Sequence, residues 1–143
     1  MVGGIDMETK FNFNSQICTT REHSERLLAL GLKKETADCA LLPLTDEVTS
    51  VLVKPSTNDI KFTTPAWSLH RLWELLSKIK KYEGEDELMY PRISIEEDDV
   101  ILINPKSIWM RRGFCSPKGV YENIINCIEW LIKEGCFNKE YLV

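Results

Sequence analysis

The 143-residue chain has no glycine-rich phosphate loop, no G-x-S-x-G elbow and no H-E-x-x-H pair. Those absences remove the sequence signatures of nucleotide cradling, serine hydrolysis and zinc proteolysis. Histidine is scarce, with only His23 and His70. The five cysteines, Cys18, Cys39, Cys115, Cys127 and Cys136, form no C-x-x-C and are odd in number. They read as reduced, mostly core-filling thilos of a cytoplasmic protein, without the ligand spacing of a zinc site. The opening MVGGIDMETK lacks a basic stretch and an apolar run, so no secretory signal is expected. No apolar stretch approaches the roughly 20 residues of a membrane helix. Positive charge is also short. The formal net charge is −4, which argues against a general affinity for nucleic acid or anionic membrane.

What is present suits one domain able to bury a core without disulfides or metals. Residues 1–15 show no periodicity and read as a flexible tail; the domain spans 16–143. Within it, TTPAWSLHRLWELLSK, from Thr63 to Lys78, is the organising stretch. Thr64 is placed to cap a helix and Pro65 suits its first position. Leu69, Leu72, Trp73, Leu76 and Ile79 then fall on one face.

Ahead of it, Thr19-x-x-Glu22 has the capping-box pattern, and Gly31 ends the helix that follows. Cys39–Leu44 and Val48–Val53 read as strands, with Pro43 suited to an edge or an end. Beyond it, Ile93 and Ile95 alternate with polar residues. Val100–Ile103 is a continuous apolar run, suited to burial on both faces. Arg92–Ile103 therefore reads as a hairpin, with Ile108–Phe114 as the third strand. Ser116-Pro117 repeats the cap-then-proline logic before the last helix. Val120, Tyr121, Ile124, Ile125, Ile128, Leu131 and Ile132 form its apolar stripe. Glu122, Asn123, Asn126, Glu129 and Lys133 form the opposite, solvent-facing side. The expected fold is α+β, with three helices packed on one face of a small, mainly antiparallel sheet of about 4–5 strands.

Three pieces, ICTTREHSERLLALGLKKETADCA, TPAWSLHRLWELL and IEWLIKEGCFNKEYL, carry a resemblance. Together they resemble a family of small bacterial proteins of unassigned function, found in gut Bacteroides-type genomes, often near phage-like or mobile-element genes. The resemblance implies a bacterial cytoplasmic setting and favours a regulatory or mobile-element role. It supplies no catalytic residues.

Three groups carry chemical potential. The acidic runs Glu83–Glu87 and Glu96–Asp99 could hold a hard cation, but lack calcium-loop spacing and read as solvated loops. His70 lies beside Arg71 and Trp73 with no visible partner for general-base work. Both histidines read as partly exposed residues at the rim of the core. The basic group Lys106, Arg111, Arg112 and Lys118, with Trp109, Phe114 and Tyr121 nearby, is the best binding candidate. An aromatic ring beside guanidinium groups can stack a base or clamp a phosphate. The plainer alternative puts Trp109 in the core and pairs the arginines with the acidic hairpin tip.

The functional expectation is a non-enzymatic binding or regulatory module acting through protein contacts, with no cofactor. One alternative is a nucleic-acid-binding accessory protein of a mobile element, using the Lys106–Lys118 region. Another is an enzyme with a site built from the acidic loops and His70.

Overall fold

A computed structural model describes residues 16–53, 63–76, 90–93, 98–104 and 107–143. Side chains of 90–93, 103–104 and 107–111 are outside that description, as are the tail 1–15, Ile79, the run 83–87, Glu96, Glu97 and Lys106.

The helices are α1 (Arg21–Ala29), α2 (Leu69–Leu76) and α3 (Val120–Lys133). The strands are β1 (Cys39–Pro43), β2 (Thr49–Val53), β3 (Thr64–Ala66), β4 (Tyr90–Ile93), β5 (Val100–Asn104) and β6 (Ser107–Phe114). An α+β architecture is therefore present, but not on one sheet. Among the described residues the strands form two antiparallel three-stranded sheets, ordered β2-β1-β3 and β4-β5-β6. The single sheet of about 4–5 strands is corrected by β3. Residues Thr64, Pro65 and Ala66 pair with Leu41, Ala40 and Cys39 and give β1 a second neighbour of its own. The helices divide accordingly: α1 meets β3 and α3, α2 meets α3, and α3 covers β5 and β6.

The same three residues correct the start of the organising helix. Thr64 and Pro65 are strand residues, and Ser68 does the capping. Its Oγ accepts from the backbone N–H of Arg71 at 3.1 Å, and its carbonyl accepts from Leu72 at 3.0 Å. Asp38 holds Ser68 in turn, accepting from its backbone N–H at 2.8 Å and from its hydroxyl at 2.5 Å. Leu72, Leu75 and Leu76 are buried and Leu69 and Trp73 half-buried, so the stripe is shifted but real.

The cap of α1 is Thr20, one residue later than the capping box placed it. Its hydroxyl accepts from the His23 N–H at 3.2 Å. Thr19 is drawn elsewhere: its N–H donates to the Trp67 carbonyl at 2.9 Å, and its hydroxyl accepts from the Trp67 N–H at 3.1 Å and pairs with the Ser24 hydroxyl at 2.7 Å. Both α1 and α3 end in Schellman turns. Gly31 (φ 97°) and Gly135 (φ 73°) take the left-handed position, and the N–H groups of Leu32 and Cys136 reach back to Leu27 and Leu131.

α3 begins at Val120 behind Gly119 (φ 109°), and Ser116 belongs to the preceding turn. Its apolar stripe is core: Ile124, Ile125, Ile128 and Leu131 are buried against Val100, Leu102 and Phe114. Asn123 departs from the expected solvent-facing side and is fully buried. Its carboxamide accepts from the Ser116 N–H at 2.6 Å and donates to the carbonyls of Asp98 (2.9 Å) and Ser116 (3.1 Å). It thus joins the entry to β5, the exit from β6 and the start of α3. At the C-terminus Phe137 is buried, and Leu142 forms a bridge with Leu32.

Candidate binding site

The strand β6, at the edge of its sheet among the described residues, delivers a candidate cation whose side chain is described, Arg112. Leu102 stands opposite Arg112 and Val100 opposite Phe114, so these four residues share a face. Val100, Leu102 and Phe114 are buried on it beneath α3. Arg112 is exposed. A long side chain on an edge strand can follow the apolar surface outward and keep its charged end in water.

Two aromatic rings line that route. The guanidinium carbon lies 5.4 Å from the ring centre of Phe114 and 5.9 Å from that of Trp130. The rings meet edge to face, 6.3 Å apart at 62°. Both distances are within cation–π range. Among the described residues Arg112 has no carboxylate partner and makes no hydrogen bond through its guanidinium. The rings therefore support the cation, and no described residue occupies its N–H fork.

The other candidates separate. Lys118 is exposed in the turn before α3, with its backbone N–H donating to Ser116 Oγ at 3.3 Å. Trp109 and Arg111 lie in β6, with Arg111 opposite Ile103, and their side chains are outside the described residues, as is Lys106. Tyr121 belongs elsewhere: its ring stacks on His23 at 6.4 Å and its hydroxyl donates to the Gln16 carbonyl at 3.2 Å. His70 is 83% exposed and sits 3.4 Å from Glu74 on the same helix.

A polar seam between α1 and α3 was not foreseen. Arg26 donates to Glu122 at 2.8 Å, to Asn126 at 2.6 Å and to Glu129 at 3.1 Å. His23 Nε2 lies 3.2 Å from Glu122, and Lys133 donates to Glu129 at 2.9 Å. Burial works to raise the Glu122 pKa, yet hydrogen bonds and charge from Arg26, with help from His23, hold it below the ordinary carboxylate value. Hydrogen bonds from Lys133 and then Arg26 do the same for Glu129. The spacing 122, 126, 129 marks one helix face, which is the signal available in the sequence. Nothing there shows that the opposing surface is Arg26.

None of the five cysteines is in a disulfide; Cys115 is exposed and the other four are buried. Burial, with a contribution from Asp38, pushes the Cys39 thiol up to about 12, and burial alone takes Cys127 to about 12. These thiols are packing groups at neutral pH, not nucleophiles. Among the described residues no group of three histidine, cysteine or acidic side chains could hold a metal ion, and no helix is long and apolar enough to cross a membrane.

Compared with family models, curated proteins and solved structures, the chain matches none of them.

Proposed function

We propose that the chain is a non-enzymatic binding or regulatory module acting through protein contacts. The observation that carries this reading is Arg112, an exposed guanidinium supported by two rings and claimed by no described carboxylate. By contrast, several ionisable groups among the described residues are engaged internally. His23, Arg26, Glu122, Glu129 and Lys133 fasten one helix to another. Asp38 supports the Ser68 cap. Arg71 donates to the Thr36 carbonyl at 2.9 Å. Aromatic and arginine side chains together are the residue types that anchor protein interfaces.

Four buried cysteines outside disulfides support a reducing, cytoplasmic setting. Residues 16–143 are taken as one α+β domain following a tail, and a mobile-element context remains part of the proposal. The second reading, nucleic-acid binding, draws on Lys118 and Arg112 lying exposed within one short stretch. The net charge of −4 opposes it.

Chemical cross-linking in host cells, followed by mass spectrometry, tests the proposal. A reproducible protein adduct is expected. Recovery of nucleic acid in place of protein, or of no adduct, refutes it.

A further inference from the structure

We infer that Arg112 on the Phe114–Trp130 platform is the receptor for a single carboxylate, an Asp or Glu side chain in an otherwise apolar segment of a partner protein. The inference rests on the binding-module reading and names the chemistry of its site.

The argument starts from what the platform does to the arginine. A guanidinium is planar and presents its N–H groups in a fork that matches two oxygens of one carboxylate. An exposed arginine normally spreads over many rotamers, and ordering it on binding costs free energy. Here the rings of Phe114 and Trp130, 5.4 and 5.9 Å from the guanidinium carbon, already restrict it. The rings attract the guanidinium as a cation and offer its N–H edge no oxygen acceptor. Among the described residues nothing else occupies that edge.

Charge decides the class of anion. A polyanion answers to the field of the whole molecule, and this chain carries 18 basic against 22 acidic residues. The exposed side chain of Asp98 and the half-buried Asp99 belong to the segment leading into β5, the central strand next to β6. A nucleic-acid strand would meet those carboxylates along with the cation. One carboxylate needs only one fork. The surface beside that fork is aromatic: Phe114 is buried and Trp130 half-buried, so Trp130 offers ring surface to apolar neighbours of the acidic residue. Lys118 is a further exposed cation in the turn that follows β6, where it can attract an acidic segment without fixing its geometry.

The test uses the full chain, NMR signals from the Arg112 Nε–H and the Trp130 indole N–H, and four probes. These are an acetylated apolar peptide with one central Glu, its Gln counterpart, inorganic phosphate and a short single-stranded oligonucleotide. The Glu peptide is expected to shift both signals and to bind at least about tenfold more tightly than the Gln peptide. Arg112→Lys keeps the charge but loses the fork, so it should lose most of that discrimination while its melting curve stays at the wild-type position. Equal binding of Glu and Gln peptides, no shift with either, wild-type behaviour of Arg112→Lys, or stronger binding of phosphate or oligonucleotide each overturns the inference. The two proposals fail separately. A protein adduct in cells that is insensitive to Arg112→Lys removes the carboxylate receptor and spares the binding module. Peptide discrimination with no protein adduct in cells does the reverse.

Discussion

Replacing Asn123 by alanine separates two accounts of α3 by the sign of the effect. On a solvent-facing position the change should be stabilising, since alanine exceeds asparagine in helix propensity by up to about 0.7 kcal/mol. The structure gives the opposite sign. The carboxamide is fully buried and makes three hydrogen bonds, at 2.6, 2.9 and 3.1 Å, to backbone groups of Ser116 and Asp98. Each such bond contributes about 0.5–1.5 kcal/mol net, and a buried partner left unpaired costs more. Three bonds, less the propensity gain and some rehydration at the partly buried turn, leave a loss of about 2–3 kcal/mol. Urea unfolding with an unchanged m-value measures it. Asn123→Asp adds a pH signature. One carboxylate oxygen can still accept from Ser116, but the other would face two carbonyls. That repulsion raises the folded-state pKa of the new Asp above its unfolded value. Stability should therefore be highest below the unfolded pKa and fall as pH rises through the folded one. A loss below about half a kcal/mol for the alanine variant would refute the account. So would an aspartate variant with the wild-type pH profile.

Other outcomes follow from the packing and the seam. Ile128 is fully buried, so Ile128→Ala should cost about 2–5 kcal/mol in chemical denaturation. Glu122→Gln should cost about 1–3 kcal/mol at neutral pH, because its partners Arg26 and His23 remain partly buried. Since the folded Glu122 pKa is depressed, that contribution is present above the unfolded carboxylate value and lost as pH falls through the folded one; the variant's deficit should shrink in acid. In native protein a thiol reagent should label Cys115 well ahead of Cys18, Cys39, Cys127 and Cys136, which should react only on unfolding. Equal labelling rates would contradict the burial of those four.

Periodicity made the apolar framework legible. The stripe of α3 identifies core correctly because burial of a helix face leaves a repeating pattern, whereas the run at Val100, expected to be buried on both faces, is buried through Val100 and Leu102 on one face and only half-buried at Ile101 on the other. Capping motifs were less secure, for a physical reason. A hydroxyl near a helix start can satisfy a local N–H or a distant one, and residue type does not distinguish them. Thr19 goes to Trp67, 48 residues away, and leaves the cap to Thr20. Thr64 and Pro65 go to β1, and leave it to Ser68. The candidate site was legible in part. Arg112 and Phe114 are two residues apart, so their association needed only a strand. Trp130 comes from α3, and the expected aromatic, Trp109, has its side chain outside the described residues. Arg26 and Glu122 lie 96 residues apart, beyond the reach of any local pattern.

α3 sets the geometry of all three polar features, and magnitudes show what holds it there. Its first turn carries Glu122 and Asn123, Asn126 and Glu129 further along join Glu122 against Arg26, and its last turns carry Trp130 under Arg112. Ile124, Ile125, Ile128 and Leu131 are buried along the same helix, and each contributes about 1.5–3 kcal/mol when fully buried. The ion pairs of the seam are 16–36% exposed for His23, Arg26, Glu122 and Glu129, and partly exposed pairs contribute far less each. Apolar packing therefore places Trp130, and the seam chooses which face of α1 meets the helix. Substitutions in the seam should lower stability without moving the aromatic platform, whereas a cavity at Ile128, two residues before Trp130, should disturb both. The Arg112 N–H signal is the place to see that difference, because it reports the platform and not the global fold.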